Sequence, residues 1–330
     1  MRCRFRSRFV GAAGLLLLAG AALAGCERAP APAASSPTQP TAVHTQPALR
    51  LHDRVLDPIV DHSERQPAAQ RIVSAAPNVT EICCALGLRA ALVGRTRYCD
   101  YPPGIGQVPS IGALIDVNVE ALLELRPDLI LVAGTSRTQT DRFATLDLRL
   151  ESVPDATLDD LFLAVRRIGE LAGRPRTATK LCDEIHADLA VVSARFARAS
   201  PARVLLLTGT LSDPPRPPYV AGPGSFYDDL LNRAGHQNVV TAAQAAFAPL
   251  SLEFIVRADP DVIIELDPDG SARPGGDVDA LRVWKALGPL RAVATERIHV
   301  LRGSEHYLLG PRIAHTYAAL CRVIAGEEHD

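Results

Sequence analysis

From residue 71 onward, short continuous apolar runs alternate with amphipathic segments. RIVSAA at 71–76, ALVGRT at 91–96 and DLILVAG at 128–134 predict strands. VTEICCALGL, opened by Pro77, and NVEALLEL predict the helices between them. DRFATL at 141–146 and LRLESV at 148–153 predict one more helix and one more strand. Strands that are apolar throughout and separated by helices are typical of a parallel sheet covered on both faces.

The alternation stops over residues 157–200, where two amphipathic segments follow each other with no strand between them. The first is predicted to begin at a Thr157 cap. The second, at 174–199, predicts a helix of about 25 residues and about 37 Å. Strand–helix alternation resumes after Pro201. We therefore predict the α/β class, with lobes at 71–156 and 201–330 that have mainly parallel sheets and are bridged by one long, stiff helix.

One unit of the sequence occurs twice. NVEALLELRPDLILV at 118–132 and SLEFIVRADPDVIIE at 251–265 both predict a short helix, a Pro-Asp turn and a buried strand. Three matched pairs share an offset of 133 residues: Glu120 and Glu253, Pro127 and Pro260, Asp128 and Asp261.

Each copy also keeps a carboxylate at the start of its helix. Asn118 and Ser251 are predicted N-caps, so Glu120 and Glu253 fall in the first turns. For either residue alone the helix dipole is a sufficient explanation, worth roughly 0.3–1 kcal/mol. As a pair, they would present two acidic points to one partner, on which basic sockets would form directional ion pairs.

The first 25 residues predict an export signal. MRCRFRSR carries four Arg and is followed by the apolar run FVGAAGLLLLAGAALAG. That run has about the minimum length of a membrane-spanning helix and lacks a charged flank after it. LAGC at 23–26 resembles the lipobox of bacterial lipoproteins, which implies cleavage before Cys26 and lipidation of Cys26. Residues 26–70 begin with a Pro- and Ala-rich stretch and are predicted to be a tether.

Composition and motifs narrow the function. A net charge of −2 gives no electrostatic footprint for nucleic acid. The sequence contains no P-loop, dinucleotide fingerprint, nucleophile elbow or H-E-x-x-H motif. After removal of the signal and lipidation of Cys26, five cysteines remain: Cys83, Cys84, Cys99, Cys182 and Cys321. One disulfide among them is possible, and the sequence does not determine its pairing.

Several motifs occur in the order found in one family. RIVSAAPNVTEICCALGL, YCDYPP, NVEALLELRPDLIL, GPGSFYDDLLNRAG, SLEFIVRADPDVII and GPRIA span roughly residues 71–325. Together they resemble the substrate-binding proteins of bacterial ABC importers for cobalamin, haem and iron–siderophore complexes. The resemblance implies two lobes joined by a helical backbone. It also implies a monomeric, exported binding protein with no catalytic role and no cofactor of its own, held at the periplasm or cell surface by its lipid.

The resemblance also assigns roles to residues. It implies that Glu120 and Glu253 dock on the two permease subunits in the inner membrane, and that Tyr98 packs on a corrinoid, haem or iron complex. The loop before the last helix is expected to line the cleft. Tyr101, beside two prolines, is explained equally well by loop packing. The expected cleft-loop residues are Ser304, Glu305, His306, Tyr307 and Leu308.

The ligand itself stays open. Cobalamin binders of this kind often carry Trp on the cleft walls, but Trp284 is the only Trp and lies in a predicted helix. Phe247 is the only aromatic residue just before Glu253, while Arg95 and Arg97 beside Tyr98 would suit an anionic chelate. An alternative is a binding protein for a bare zinc or manganese ion, whose ligands the sequence does not identify. An exported hydrolase is a further alternative.

Overall fold

Two β-sheets organise the protein in the structure, a computed structural model that describes residues 71–113, 116–134, 148–197, 199–241 and 245–327. All of these residues belong to one compact unit, Ala48–Asp330. The predicted signal, Cys26, the tether and the predicted helix at 141–146 lie outside the described residues. Within that described part, no helix is both long and apolar enough to cross a membrane.

The first sheet has four parallel strands in the order β2-β1-β5-β6, with a short antiparallel hairpin, β3–β4, as a separate pair. We call the part of the chain around this sheet the first lobe. Its strands are β1 (Ile72–Ser74), β2 (Leu92–Arg95), β3 (Gly112–Ala113), β4 (Asp116–Val117), β5 (Leu129–Ala133) and β6 (Leu150–Val153).

The second sheet is mixed, in the order β10-β8-β7-β11-β12, with β9 also paired to β7. Pairing of β7 with β9 and β11, and of β11 with β12, is parallel, whereas β8 and β10 are antiparallel. We call the surrounding chain the second lobe. Its strands are β7 (Arg203–Leu207), β8 (Tyr219–Ala221), β9 (Gln237–Asn238), β10 (Phe247–Pro249), β11 (Val262–Asp267) and β12 (Ile298–Arg302).

Nine α-helices occur in the described residues. They are α1 (Pro77–Ala85), α2 (Val119–Glu124), α3 (Leu158–Leu171), α4 (Pro175–Phe196), α5 (Phe226–Arg233), α6 (Leu252–Ala258), α7 (Asp277–Trp284), α8 (Arg291–Ala294) and α9 (Ile313–Ala325).

The two helices predicted between the sheets are α3 and α4. Thr157 accepts a hydrogen bond from the Asp160 amide at 3.2 Å, and the Asp160 carboxylate accepts one from the Thr157 amide at 3.0 Å. This capping box fixes the start of α3. The long helix α4 has 22 residues, or about 33 Å, slightly shorter than predicted. It packs on α3 and on α9.

One hydrophobic core runs through both lobes. Alternate strand residues point to opposite faces of a sheet. One face of each sheet, with Leu131 in the first and Ile264 in the second, enters the shared core together with α3, α4 and α9. The other faces, with Ile130 and Ile263, enter two smaller separate cores. Both sheets are therefore covered on both faces, and the lobes are joined by buried apolar surface.

The repeated unit has the same local structure in both lobes. Asn118 accepts a hydrogen bond from the Ala121 amide at 3.0 Å, and Ser251 accepts one from the Phe254 amide at 3.2 Å. The predicted N-caps of α2 and α6 are thus confirmed. Glu120 falls in the first turn of α2, as predicted.

The Pro-Asp turn after each helix joins it to the sheet. Arg126 and Asp259, 133 positions apart, both end their helices with positive φ, +42° and +43°. The Asp128 carboxylate then accepts a hydrogen bond from the Arg71 amide at 2.8 Å, and Asp261 accepts one from the Arg203 amide at 2.9 Å. The aspartate recurs in both copies of the repeat because it attaches the helix-to-strand turn to the neighbouring strand.

A buried ion pair also connects the lobes. Arg312, just before α9, donates to Glu81 of α1 through Nε at 3.0 Å and Nη2 at 2.5 Å. The Arg312 guanidinium lies 4.0 Å from the centroid of the Tyr101 ring and 3.8 Å from the Glu305 carboxylate. Burial raises the pKa of Glu81, and the Arg312 charge opposes that rise.

Backbone contacts join the lobes at a second place. The Phe226 amide at the start of α5 donates to the Ala156 carbonyl at 2.7 Å. The Leu158 amide donates to the Asp229 carboxylate at 2.9 Å. Together with the ion pair and the shared core, these contacts fix the angle between the lobes at several points.

We expect Arg312→Met to lower the free energy of unfolding by about 3–5 kcal/mol, because it leaves the Glu81 carboxylate buried without its charge partner. Chemical denaturation measures the change. The matched control is Arg282→Met, which breaks the exposed Arg282–Asp213 pair at 3.4 Å and should cost about 0–1 kcal/mol. Equal losses in the two variants would contradict the importance of the buried pair.

A second prediction concerns pH and the buried His236, whose Nδ1 accepts a hydrogen bond from the Ala202 amide at 3.3 Å. Burial, and secondarily the Arg297 charge, lowers the pKa of His236 below its usual 6.5. Below that value the unfolded chain binds more protons than the folded protein, so the free energy of unfolding falls as the pH decreases.

The variant His236→Gln keeps an acceptor but does not titrate. Between about pH 7.5 and 5.5, where His normally titrates, its free energy of unfolding should fall less than that of the unaltered protein. Denaturant titrations at several pH values measure the two slopes. Identical slopes would show that His236 does not contribute.

Candidate functional site

A cavity of about 540 Å³ lies between the two lobes. It sits where the carboxyl ends of β1, β5 and β6 face the second lobe, the position at which α/β proteins commonly bind ligands. The lining residues of the first lobe are Ala76, Pro77, Asn78, Ala133, Gly134, Asp155 and Ala156. Those of the second lobe are Phe226, Ala246, Phe247, Tyr307, Leu308 and Leu309.

Aromatic side chains form much of the wall in the second lobe. The Phe226 and Tyr227 rings are tilted by 32° with their centroids 3.9 Å apart, and Phe247 meets Tyr227 edge-on at 6.2 Å. The Tyr227 hydroxyl donates to the His306 carbonyl at 2.5 Å, so α5 is joined to the loop that contains Tyr307. A flat or apolar ligand would therefore meet Phe226, Phe247 and Tyr307 on a braced surface.

The first lobe contributes polar groups to the same cavity. Asn78 lies in the first turn of α1 and is only 7% exposed. The N-cap residue Ala76 makes no side-chain cap hydrogen bond, so α1 presents its amino end uncapped. Asp155 follows β6, and burial raises the pKa of its carboxyl, with a further rise from Asp160.

Gly134 allows the Asp155 carboxylate to approach the backbone. Its φ is +77°, and a Cβ at this position would lie 3.1 Å from Asp155 Oδ1. A residue with a side chain would be strained there and would push the carboxylate away. The end of β5 and the position of Asp155 are thus linked.

Only part of the loop predicted to line the cleft faces the cavity, and the rest is directed into the protein interior. Tyr307 and Leu308 line the cavity. His306 is buried at 8% exposure, and its Nδ1 lies 3.3 Å from the Thr316 hydroxyl. Ser304 is half-buried beside them, and Glu305 lies near Arg312 as described above. Burial raises the pKa of Tyr307 to about 12, and its hydroxyl donates to the Leu266 carbonyl at 3.3 Å.

Neither Tyr98 nor Tyr101 is among the cavity-lining residues described above. Tyr98 is 56% exposed, and the Arg97 side chain donates to its hydroxyl at 3.1 Å. The Tyr101 ring lies against Arg312. Arg95 is held by the carbonyls of its own loop, including Ile105 at 3.0 Å. The ligand-binding role stays a prediction for all seven residues to which the resemblance gave it: Tyr98, Tyr101, Ser304, Glu305, His306, Tyr307 and Leu308.

The five cysteines among which one disulfide was possible are all free and buried. Burial raises the pKa of Cys84 to about 11 and that of Cys321 to about 12. The Cys84 and Cys321 thiols therefore stay protonated and are weak nucleophiles and weak metal ligands. In the described part of the chain, no cluster of three or more His, Cys, Asp or Glu residues is arranged to hold a metal ion.

Sequence reasoning did not propose Asn78, Asp155 or Phe226 as site residues. Asn78 and Asp155 carried a usable signal, since each closely follows a predicted strand of the first lobe. Phe226 is both buried and part of the cavity wall.

Comparison with known proteins identifies the family. Residues 72–304 match the family described as "Periplasmic binding protein". A "Vitamin B12-binding protein" of Yersinia pestis (strain Pestoides F) is 25% identical over 199 residues, 60% of this chain and 69% of that relative.

Solved structures agree with this match. The "Periplasmic heme-binding protein RhuT from Roseiflexus sp. RS-1 in apo form" aligns with a TM-score of 0.66 and 27% identity, covering 78% of this chain and 99% of its own. A periplasmic heme-binding protein from Pseudomonas aeruginosa aligns with a TM-score of 0.64 and 27% identity, covering 79% and 94%. The α/β class and the resemblance predicted from the sequence are confirmed, and the chain belongs to the periplasmic binding protein family.

Proposed function

We propose that this protein is the substrate-binding lipoprotein of a bacterial ABC importer and captures cobalamin, haem or an iron chelate between its lobes. The cavity with its aromatic wall is the observation that carries this proposal. Its volume of about 540 Å³ falls in the range of small-molecule sites, roughly 300–1,000 Å³. Relatives described as binding vitamin B12 or heme support the same cargo class.

A flat metal macrocycle suits the chemistry of this wall. Phe226, Phe247 and Tyr307 offer ring faces and edges, while Leu308 and Leu309 add apolar surface. With its pKa raised to about 12, Tyr307 contributes its ring and not a phenolate at neutral pH. Tyr98 is exposed in the loop after β2, whose carboxyl end faces the same sheet edge as the cavity, and we propose that it packs on the bound ligand.

The lobes would close only slightly around the ligand. Three kinds of contact already join them: the shared core, the Glu81–Arg312 pair and the backbone bonds between α5 and the start of α3. A hinge that must break buried contacts opens less readily than a flexible linker. The binding protein would therefore present a largely preformed site.

Glu120 and Glu253 would form the docking points for the permease. Both side chains are exposed on the first turns of matched helices, α2 and α6. One carboxylate per lobe fits a partner built from two similar subunits with basic sockets. Lipidation of Cys26 and the Pro- and Ala-rich tether would keep the protein near the membrane that holds the permease.

The ligand is testable by absorbance. Purified protein is titrated with cyanocobalamin, haemin and a ferric siderophore, and we expect one of the three to show a saturable shift of its corrin, Soret or charge-transfer band. Phe247→Ala should weaken that binding by roughly tenfold, since it removes an aromatic contact. Binding of zinc or manganese in place of all three would reject the proposal in favour of a bare-ion binder.

The docking role predicts a separation of uptake from binding. Glu120→Arg combined with Glu253→Arg should abolish ligand uptake in cells that contain the importer, while the dissociation constant of the purified protein for its ligand stays unchanged. The matched control reverses two exposed carboxylates on other helices, Glu170→Arg in α3 with Asp183→Arg in α4, and should leave uptake intact. Uptake that survives the first double change would show that the docking assignment is wrong.

A further inference from the structure

We infer that Asp155 and Asn78 select ligands whose periphery carries uncharged carboxamides and disfavour ligands whose periphery carries carboxylates. The inference rests on the proposed function and narrows its ligand class. Asp155 would accept a hydrogen bond from a ligand amide N–H. Asn78 and the amino end of α1 would donate to a ligand carbonyl.

Asp155 has an available acceptor in the cavity. No described residue donates a hydrogen bond to its carboxylate, although the group is partly buried and lines the cavity wall. Other carboxylates at this junction are occupied: Asp160 accepts from the Ala156 and Thr157 amides at 3.1 and 3.0 Å, and Asp229 accepts from Leu158. The Asp155 carboxylate is therefore available as an acceptor for a ligand N–H inside the cavity.

Asn78 offers the complementary group. Its side chain is more than nine-tenths buried, lines the same cavity and has no hydrogen-bond partner among the described residues. It sits in the first turn of α1, a helix of nine residues whose N-cap makes no side-chain hydrogen bond. The amide of Asn78 and the positive end of the helix dipole both favour a ligand oxygen at this position.

The charges of the lining residues decide between the two types of periphery. None of the described lining residues is Lys or Arg, and Asp155 is the only carboxylate among them. A ligand carboxylate near Asp155 would meet a like charge in a partly desolvated site, which is unfavourable. A carboxamide carries no charge, and it can donate to Asp155 through its N–H or accept from Asn78 through its carbonyl oxygen.

A corrin ring with carboxamide arms therefore fits this wall better than a porphyrin with free propionates. The aromatic surface opposite accepts either ring, because ring stacking does not distinguish the groups at the ring edge. Selection would come from the first lobe, and general affinity from the second.

The test compares macrocycles that differ only at their edges. One pair is an iron porphyrin with its side arms as propionates or as propionamides, and the other is a dicyanocobalt corrin with its arms as carboxylates or as carboxamides. Dissociation constants are measured by absorbance titration at neutral pH. For the pair that binds, the carboxamide form should have a dissociation constant for the unaltered protein at least about tenfold lower than that of the carboxylate form.

Variants assign the selectivity to residues. Asp155→Asn can donate to a carboxylate, so it should bring the two forms to within roughly threefold of each other, and Asn78→Ala should weaken the carboxamide form by roughly tenfold. The matched control Asp183→Asn removes an exposed carboxylate of α4 and should leave the preference unchanged.

Two results would overturn the inference while leaving the proposed function standing. One is equal or tighter binding of the carboxylate forms, and the other is a carboxamide preference that persists undiminished in Asp155→Asn. Failure of all four macrocycles to bind would overturn the inference, and the proposed function would fail with it only if the ferric siderophore also did not bind.

Discussion

The continuous hydrophobic core is the constraint on which the rest of the structure depends. Because one face of each sheet packs against the same helices, α3, α4 and α9, the lobes are held by buried apolar surface and not by a linker. The space between the strand ends is then a fixed cavity whose walls do not need to be assembled by the ligand. Preorganisation of this kind lowers the entropic cost of binding. The buried pair Glu81–Arg312 adds direction to the core, because it is stable only at one relative placement of α1 and α9.

The residues that recur in the internal repeat are of two kinds, those that stabilise the fold and those that are exposed on the surface. In both copies the cap, the positive-φ residue and the Asp that accepts from the neighbouring strand have local structural functions, and they recur because each lobe builds the same helix-to-strand connection. The glutamates are different, since in the described part of the chain neither Glu120 nor Glu253 makes a side-chain hydrogen bond or ion pair that positions a strand. Their recurrence is therefore more informative about a partner than the recurrence of the aspartates.

The sequence predicted local features well and long-range ones poorly. The caps at Asn118 and Ser251, the Thr157 capping box and the strand–helix order follow from residues within a few positions of each other. The Glu81–Arg312 pair joins positions 231 apart, and no local pattern indicates it. The cavity was only partly predictable for the same reason. Tyr307 and Leu308 belong to a single loop that was predicted to line it. Asn78 and Asp155 are far apart in the sequence and line the same cavity only once β1, β5 and β6 are aligned.

The two walls of the cavity divide affinity and specificity between them. Aromatic and aliphatic side chains in the second lobe favour any apolar ring, and the free energy they contribute depends on buried area more than on identity. The first lobe presents an acceptor and a donor to the cavity, Asp155 and Asn78. A site built to hydrogen-bond a polar ligand group discriminates strongly against a ligand that would leave such groups buried and unpaired. The amide-bearing macrocycle inferred as the ligand would meet the apolar wall with its faces and meet Asn78 and Asp155 with its edge.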